Sequence, residues 1–192
     1  MFQFMLRSYM DKLREMRAMT NLHTSMGWKE EFQQFVHGTT LYRRLEDGTV
    51  VSEKVTLNSS SMRLAGDMYC SAGDPEALTK FTTTMAKAGM YGHMFNLGVS
   101  LAAPLLAYTG LNGVTVSLCG PSGTGKTLGQ LMGQAVWGDP LKLHFAAKFT
   151  QNSLFGRMGL YSHMPMTIDE VTIINDREVG DFAYWVSQGR DK

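Results

Sequence analysis

The sequence predicts an α/β protein whose main part is a mainly parallel sheet flanked by helices, preceded by a small α+β region. Three observations carry that expectation. Strand-like and helix-like patterns alternate from Val114 to Ser187, the order that builds a parallel sheet covered on both faces. A glycine-rich stretch, Gly120-Pro121-Ser122-Gly123-Thr124-Gly125-Lys126-Thr127, joins an apolar run to a helical one. A further apolar run, Met164 to Ile168, ends on the acid pair Asp169-Glu170.

The elements follow in order. Leu6, Met10 and Leu13, with Met5, Tyr9, Met16 and Met19 beside them, recur at helical spacing and predict an amphipathic helix over about 3–20. Arg7, Asp11, Lys12, Arg14, Glu15 and Arg17 interrupt that stretch, which excludes a secretory signal. Phe35-Val36 and Leu41-Tyr42, then Asp47-Gly48 and Val50-Val51, predict a hairpin turning at Asp-Gly. Asn58 to Ser61 reads as a polar break. Asp74 caps and Pro75 opens a helix running to about Lys87.

No Asp, Glu, Lys or Arg lies between Lys87 and Lys126. Gly98, Pro104, Gly110 and Gly113 nevertheless cut this stretch into pieces shorter than the roughly 20 residues a membrane span needs. A buried helix over about 93–108 and a buried strand over 114–119 are expected instead, with no membrane as partner. Thr127 to Trp137 then forms a helix stopped by Gly138-Asp139-Pro140. A second strand covers Leu141 to Phe145, and Thr150 caps a helix over 151–161. A third strand covers Met164 to Ile168, and a last helix Asp176 to Ser187. The two regions divide as 1–92, N-terminal α+β, and 93–192, the α/β core.

Composition narrows the functional classes. At 192 residues the chain holds about one domain, and 44% hydrophobic against 18% charged residues leaves ample material for a core. Eighteen Lys+Arg against seventeen Asp+Glu give +1, which excludes a protein that binds nucleic acid by bulk charge alone. Cys70 and Cys119 cannot make a disulfide framework, and Cys119 reads as a small buried strand residue. The five histidines show no spacing that would hold zinc.

Chemistry concentrates at Gly120 to Thr127, which fits G-x-x-x-x-G-K-[ST] between a strand and a helix, the pattern of a P-loop NTPase. Glycines allow the backbone to wrap a phosphate in conformations a Cβ forbids. The loop N–H groups and the helix N-terminus then face the anion. Nucleotide-binding residues are thus Gly120, Pro121, Ser122, Gly123, Thr124, Gly125, Lys126, Thr127 and the following Leu128. Lys126 places its charge on the β/γ-phosphates of ATP, and the Thr127 hydroxyl ligates Mg²⁺. Asp169, 42 residues beyond Thr127, is expected in the Mg²⁺ shell, and Glu170 where a carboxylate polarises the attacking water. That second acid favours an ATPase. A small GTPase would need Asn-Lys-x-Asp, which does not occur, and no acceptor site or lid marks a small-molecule kinase. Arg157, Arg177 and Arg190 are candidates to sense γ-phosphate or to act on a neighbour's site, or are plain surface residues. Thr150-Gln151-Asn152 is a polar sensor or a helix cap.

With Gly98-Val99-Ser100-Leu101-Ala102-Ala103-Pro104-Leu105-Leu106, Ala135-Val136-Trp137-Gly138-Asp139-Pro140, Thr150-Gln151-Asn152-Ser153 and Ile168-Asp169-Glu170 around the loop, the chain resembles a known family. It is the ATPase of phage and mobile-element replication proteins, domain-of-unknown-function family 927. Gly27-Trp28-Lys29-Glu30-Glu31-Phe32 looks like the upstream part of the phage versions. The resemblance implies an AAA+-like motor related to replicative helicases, often tied to a primase. It implies a homo-oligomeric ring on single-stranded or duplex DNA, in the cytoplasm (of a bacterial host if phage-encoded). Lys126 and Thr127 are then the nucleotide residues, Asp169 and Glu170 the magnesium and hydrolysis residues. Such motors continue past the position of Lys192 with a further strand bearing a sensor and a trans-acting arginine. The chain is therefore expected to be a C-terminally incomplete motor, binding ATP but turning it over slowly alone. The alternatives are a nucleotide-binding module without independent turnover, and another AAA+ activity such as a transcriptional regulator or remodeller.

Overall fold

A computed structural model of the chain describes residues 22–57, 60–146, 151–170 and 176–188. The helix expected over 3–20 and the cap at Thr150 lie outside the described residues. The chain opens with β1 (Leu22–His23), β2 (Gly27–Lys29), β3 (Gln34–His37), β4 (Thr40–Arg44), β5 (Val50–Lys54) and β6 (Thr56–Leu57). Strands β2 to β5 form an antiparallel sheet in sequence order, and β1 pairs with β6 in parallel. The expected Asp-Gly hairpin is β4–β5, where Arg44 stands opposite Val50. Gly48 adopts φ 85°, and the Asp47 carboxylate accepts the Thr49 N–H at 2.9 Å, so the turn chemistry is local.

Helices follow: α1 (Ser60–Met68), α2 (Pro75–Lys87) and α3 (Tyr91–Ala102), the last continuing as a 3₁₀ turn over Ala103–Tyr108. The α1 helix begins inside the expected polar break. Asp74 caps α2 as expected, accepting the Glu76 N–H at 2.9 Å. Pro104 explains the change of helix type, since it has no N–H to give to an α-helical bond. The expected helix over 93–108 is present but only half-buried: Phe95 and Leu105 are 61% and 59% exposed, whereas Leu97 and Ser100 are buried.

The remaining elements are α4 (Lys126–Ala135), α5 (Pro140–Leu143), β7 (His144–Ala146), α6 (Gln151–Leu160), β8 (Thr167–Asp169) and α7 (Asp176–Gln188). Asp139 caps α5 by accepting the Leu141 N–H at 3.1 Å, so the start of the expected second strand is helical and the strand begins at His144. Strands β7 and β8 pair in parallel, with His144 opposite Thr167 and Ala146 opposite Asp169. Pro165 cannot donate to a ladder, and β8 starts only beyond it.

The expected strand over 114–119 needs correction. Residues 114–119 form no strand, and among the described residues they pair with none. Val114 and Val116 are 52% and 38% exposed, and Cys119 is exposed too, its Sγ 3.3 Å from the Ser117 hydroxyl. The apolar pattern is strand-like, but a strand exists only where a neighbour takes its N–H and C=O groups. Here β8 takes β7 as that neighbour instead.

The core lies between the antiparallel sheet and the β7–α6 region. Met26, Val36, Leu41, Ala65 and Tyr69 pack with Leu143, Phe145, Tyr161 and Met164. Polar ties reinforce it: the Tyr69 hydroxyl donates to the Pro165 carbonyl at 3.1 Å, and the Met26 N–H to Leu160 at 2.8 Å. Burial, with Tyr161 alongside, raises the Tyr69 hydroxyl well above an ordinary phenol. The buried cluster therefore draws from both sides of residue 92. Leu143 is 1% exposed and leads directly into β7. Its replacement by Ala should cost about 2–5 kcal/mol, read as a lower urea midpoint. A loss under about 1 kcal/mol would show that this core does not hold β7.

His37 tests the same core electrostatically. Its Nε2 lies 2.7 Å from the Trp137 carbonyl, so the neutral ring donates there. Burial lowers its pKa from 6.5, partly opposed by that hydrogen bond, and burial also lowers His23 and His163. A histidine depressed in the folded state stabilises above its unfolded pKa. Below about 6.5 the unfolded chain binds the extra proton first, so stability should fall as pH drops from 7.5 towards 5.5. Urea midpoints at those pH values check this; a midpoint that rises on acidification has the wrong sign.

Candidate functional site

The glycine-rich loop is built by its own backbone. Gly120, Gly123 and Gly125 adopt φ of 153°, 80° and 80°, conformations that side chains with a Cβ rarely take. Gly125 is the N-cap of α4 in the left-handed region, and no side chain caps this helix. The first-turn N–H groups at such an end suit an anion, helped by the helix dipole. Gly120 to Thr124 are exposed, so the loop is open to solvent. The Thr124 hydroxyl donates to the Pro121 carbonyl at 2.9 Å and closes the turn. Leu128 is 48% exposed on the first turn of α4.

Lys126 folds over its own loop. Its Nζ donates to the carbonyls of Gly120 at 2.8 Å and Pro121 at 2.7 Å. A cation held by neutral carbonyls at an open mouth is available to a phosphate oxygen, an acceptor that carries the opposite charge.

The acid pair meets the loop across 42 residues. The Thr127 hydroxyl donates to Asp169 Oδ2 at 3.3 Å, at the C-terminal end of β8. Asp169 Oδ1 accepts the Glu170 N–H at 2.8 Å, and this bond accompanies a φ of 57° at Glu170, unusual for a residue with a Cβ. The Glu170 residue is exposed. Thr127 Oγ1 and Asp169 Oδ2 are the hard oxygen donors Mg²⁺ prefers. Among the described residues no group of three or more His, Cys, Asp or Glu could hold a metal. A Mg²⁺ at Thr127 and Asp169 would complete its shell from phosphate oxygens and water, as this ion commonly does.

Residues beyond those expected complete the site. Gln130 donates through Nε2 to the Ile168 carbonyl at 3.4 Å and offers Oε1 to His144 Nε2 at 3.0 Å. His144 Nε2 also lies 3.5 Å from Asp169 Oδ2, so the carboxylate faces a ring N–H as well as a hydroxyl. One turn on, Gln134, buried, donates from Nε2 to the Thr167 hydroxyl. Thr127, Gln130 and Gln134 thus line one face of α4 and hold β8 against the loop. Their i, i+3, i+7 spacing was visible in the sequence as a polar stripe. His144 gave no such signal, because only the β7–β8 register brings it to Asp169.

The other candidates go elsewhere or lie outside the description. The Arg157 guanidinium sits 4.4 Å over the Phe145 ring, on the core side of α6. Arg177 is exposed on α7, and Arg190 lies outside the described residues, as do the side chains of Gln151 and Asn152. No described helix is long and apolar enough to cross a membrane. A family model described as a domain of unknown function, DUF927, matches residues 2–192. No curated protein and no solved structure matches the chain.

Proposed function

The chain belongs to the DUF927 family, and from that premise we propose that it binds Mg·ATP at Gly120–Thr127 as the motor of a phage-type DNA replication helicase. The observation that carries the reading is the contact of Thr127 with Asp169 at 3.3 Å, beside an uncapped helix and a lysine poised over its loop. Those three features support the reading, because Lys126 and Thr127 are neighbours on the first turn of α4 and Asp169 meets the Thr127 hydroxyl from β8. In this reading Thr127 and Asp169 would hold the ion, which would supply positive charge to the phosphates of the nucleotide. Lys126 leaves its carbonyl partners for a phosphate oxygen. Exposed Glu170 orients water for attack on the γ-phosphorus. The P-loop, AAA+-like sheet, the homo-oligomeric ring and the DNA substrate belong to the same proposal and rest on the resemblance.

A second reading, binding without independent turnover, is favoured by Arg157. Its guanidinium is engaged with Phe145, so this candidate is not presented to the loop. Hydrolysis assayed with and without single-stranded DNA separates the two. The motor reading expects turnover stimulated by DNA; tight Mg·ATP binding with no turnover under either condition selects the module.

A further inference from the structure

Helix α3 carries its polar side inward. Tyr91, Phe95 and Leu101 are 72%, 61% and 48% exposed, while His93, Asn96 and Ser100 turn towards α4. These three polar residues, at i, i+3 and i+7, meet three glycines of one α4 face and its N-cap, at i, i+4 and i+8. His93 Nε2 lies 3.1 Å from the Gly125 carbonyl, the Asn96 amide donates to Gly129, and the Ser100 hydroxyl donates to Gly133 at 2.6 Å. A carbonyl only accepts, so His93 presents Nε2 as an N–H. The glycines make this approach possible. A Cβ on Gly125 would stand 2.6 Å from His93 Nε2, and one on Gly133 3.2 Å from the Ser100 Cβ.

Within α4 the Gly125 carbonyl is already bonded, accepting the Gly129 N–H at 2.9 Å. His93 therefore adds a second hydrogen bond at the peptide where loop becomes helix. The Gly125 C=O and the Lys126 N–H belong to one rigid trans peptide and point in opposite directions. Holding the carbonyl from the α3 side fixes the direction of the Lys126 N–H on the other.

We propose that His93 is a positioning residue of the phosphate loop, orienting the Gly125–Lys126 peptide so that the Lys126 N–H faces a bound phosphate. The ligand half of this statement rests on the nucleotide-binding reading; the peptide half does not. His93 touches no phosphate itself. Asn96 and Ser100 continue the ladder along α4 and keep the two helices in register.

The test compares His93→Gln, which keeps an N–H at similar reach, with His93→Leu, which removes it. Amide NMR of the nucleotide-free chain reads the peptide directly. Lys126 and Thr127 resonances should shift or broaden in the Leu variant and stay near wild type in the Gln variant. Calorimetry with Mg·ATP should show about tenfold weaker binding for Leu and a value within about twofold of wild type for Gln, the worth of one hydrogen bond. Should Leu prevent folding, His93→Asn, too short to reach, takes its place. Unchanged Lys126 and Thr127 amides in the Leu variant overturn the proposal. So does a lower melting temperature with unchanged affinity, the mark of a packing role only. If the wild type binds no ATP, the nucleotide reading fails while the amide spectra still decide the positioning of the peptide.

Discussion

Lys126→Ala is expected to weaken Mg·ATP binding at least tenfold, about 1.4 kcal/mol or more. The side chain supplies a cation held over the loop, 2.8 and 2.7 Å from two of its carbonyls. Between Lys87 and Lys126 the sequence offers no other charge of either sign, so no nearby residue on that stretch substitutes for it. Against a phosphate oxygen the acceptor carries charge as well as the donor, so the bond gains an ion-pair attraction that the carbonyls do not offer. The fold should tolerate the change, because Lys126 lies outside the buried cluster. Circular dichroism of the variant should therefore match the wild type while calorimetry records the lost affinity. Equal affinities would remove the loop from the account.

The second large effect separates the two acids. Asp169→Asn should weaken Mg²⁺-dependent ATP binding, because the oxygen facing the Thr127 hydroxyl at 3.3 Å loses its charge. His144, 3.5 Å from the same oxygen, keeps a partner in the amide oxygen, so the geometry should persist while the ion's ligand is weakened. Glu170→Gln should leave binding intact and remove turnover, since Glu170 is exposed and the described contacts of the ion site pass through Asp169. Removing a water-orienting carboxylate commonly lowers rate by about 10²–10⁴. Binding by calorimetry and turnover by phosphate release, on both variants, provide the comparison. Matching losses of binding from both would reject the division of labour.

Local chemistry was legible from residues alone. Asp74 before Pro75, Asp47-Gly48 and the glycines of the loop each act within a few residues, so sequence neighbours suffice to read them. The Thr127–Asp169 contact agrees with the expectation that the acid ending the Met164–Ile168 run lies beside the loop. What failed was long-range. The 114–119 stretch has the right alternation for a strand, yet pairing depends on which neighbour arrives, and sequence pattern carries no such information. The uncharged run over α3 reads as burial, but His93, Asn96 and Ser100 face glycine carbonyls while Tyr91, Phe95 and Leu101 face out and Leu97 is buried. Hydrophobicity alone cannot reveal that inversion, because His93, Asn96 and Ser100 look like the solvent side of an amphipathic helix. His144 and Gln130 join Asp169 only once β7 and β8 pair in register.

Gly120–Thr127 and Asp169 are proposed to form one Mg·nucleotide site. Isothermal titration of the 192-residue chain with ATP, in Mg²⁺ and in excess chelator, tests it most directly. Saturable binding of one nucleotide per chain is expected, weakening on removal of Mg²⁺ and falling at least tenfold in Lys126→Ala. Binding that is indifferent to both Mg²⁺ and Lys126, or no binding by a chain shown to be folded, would contradict it.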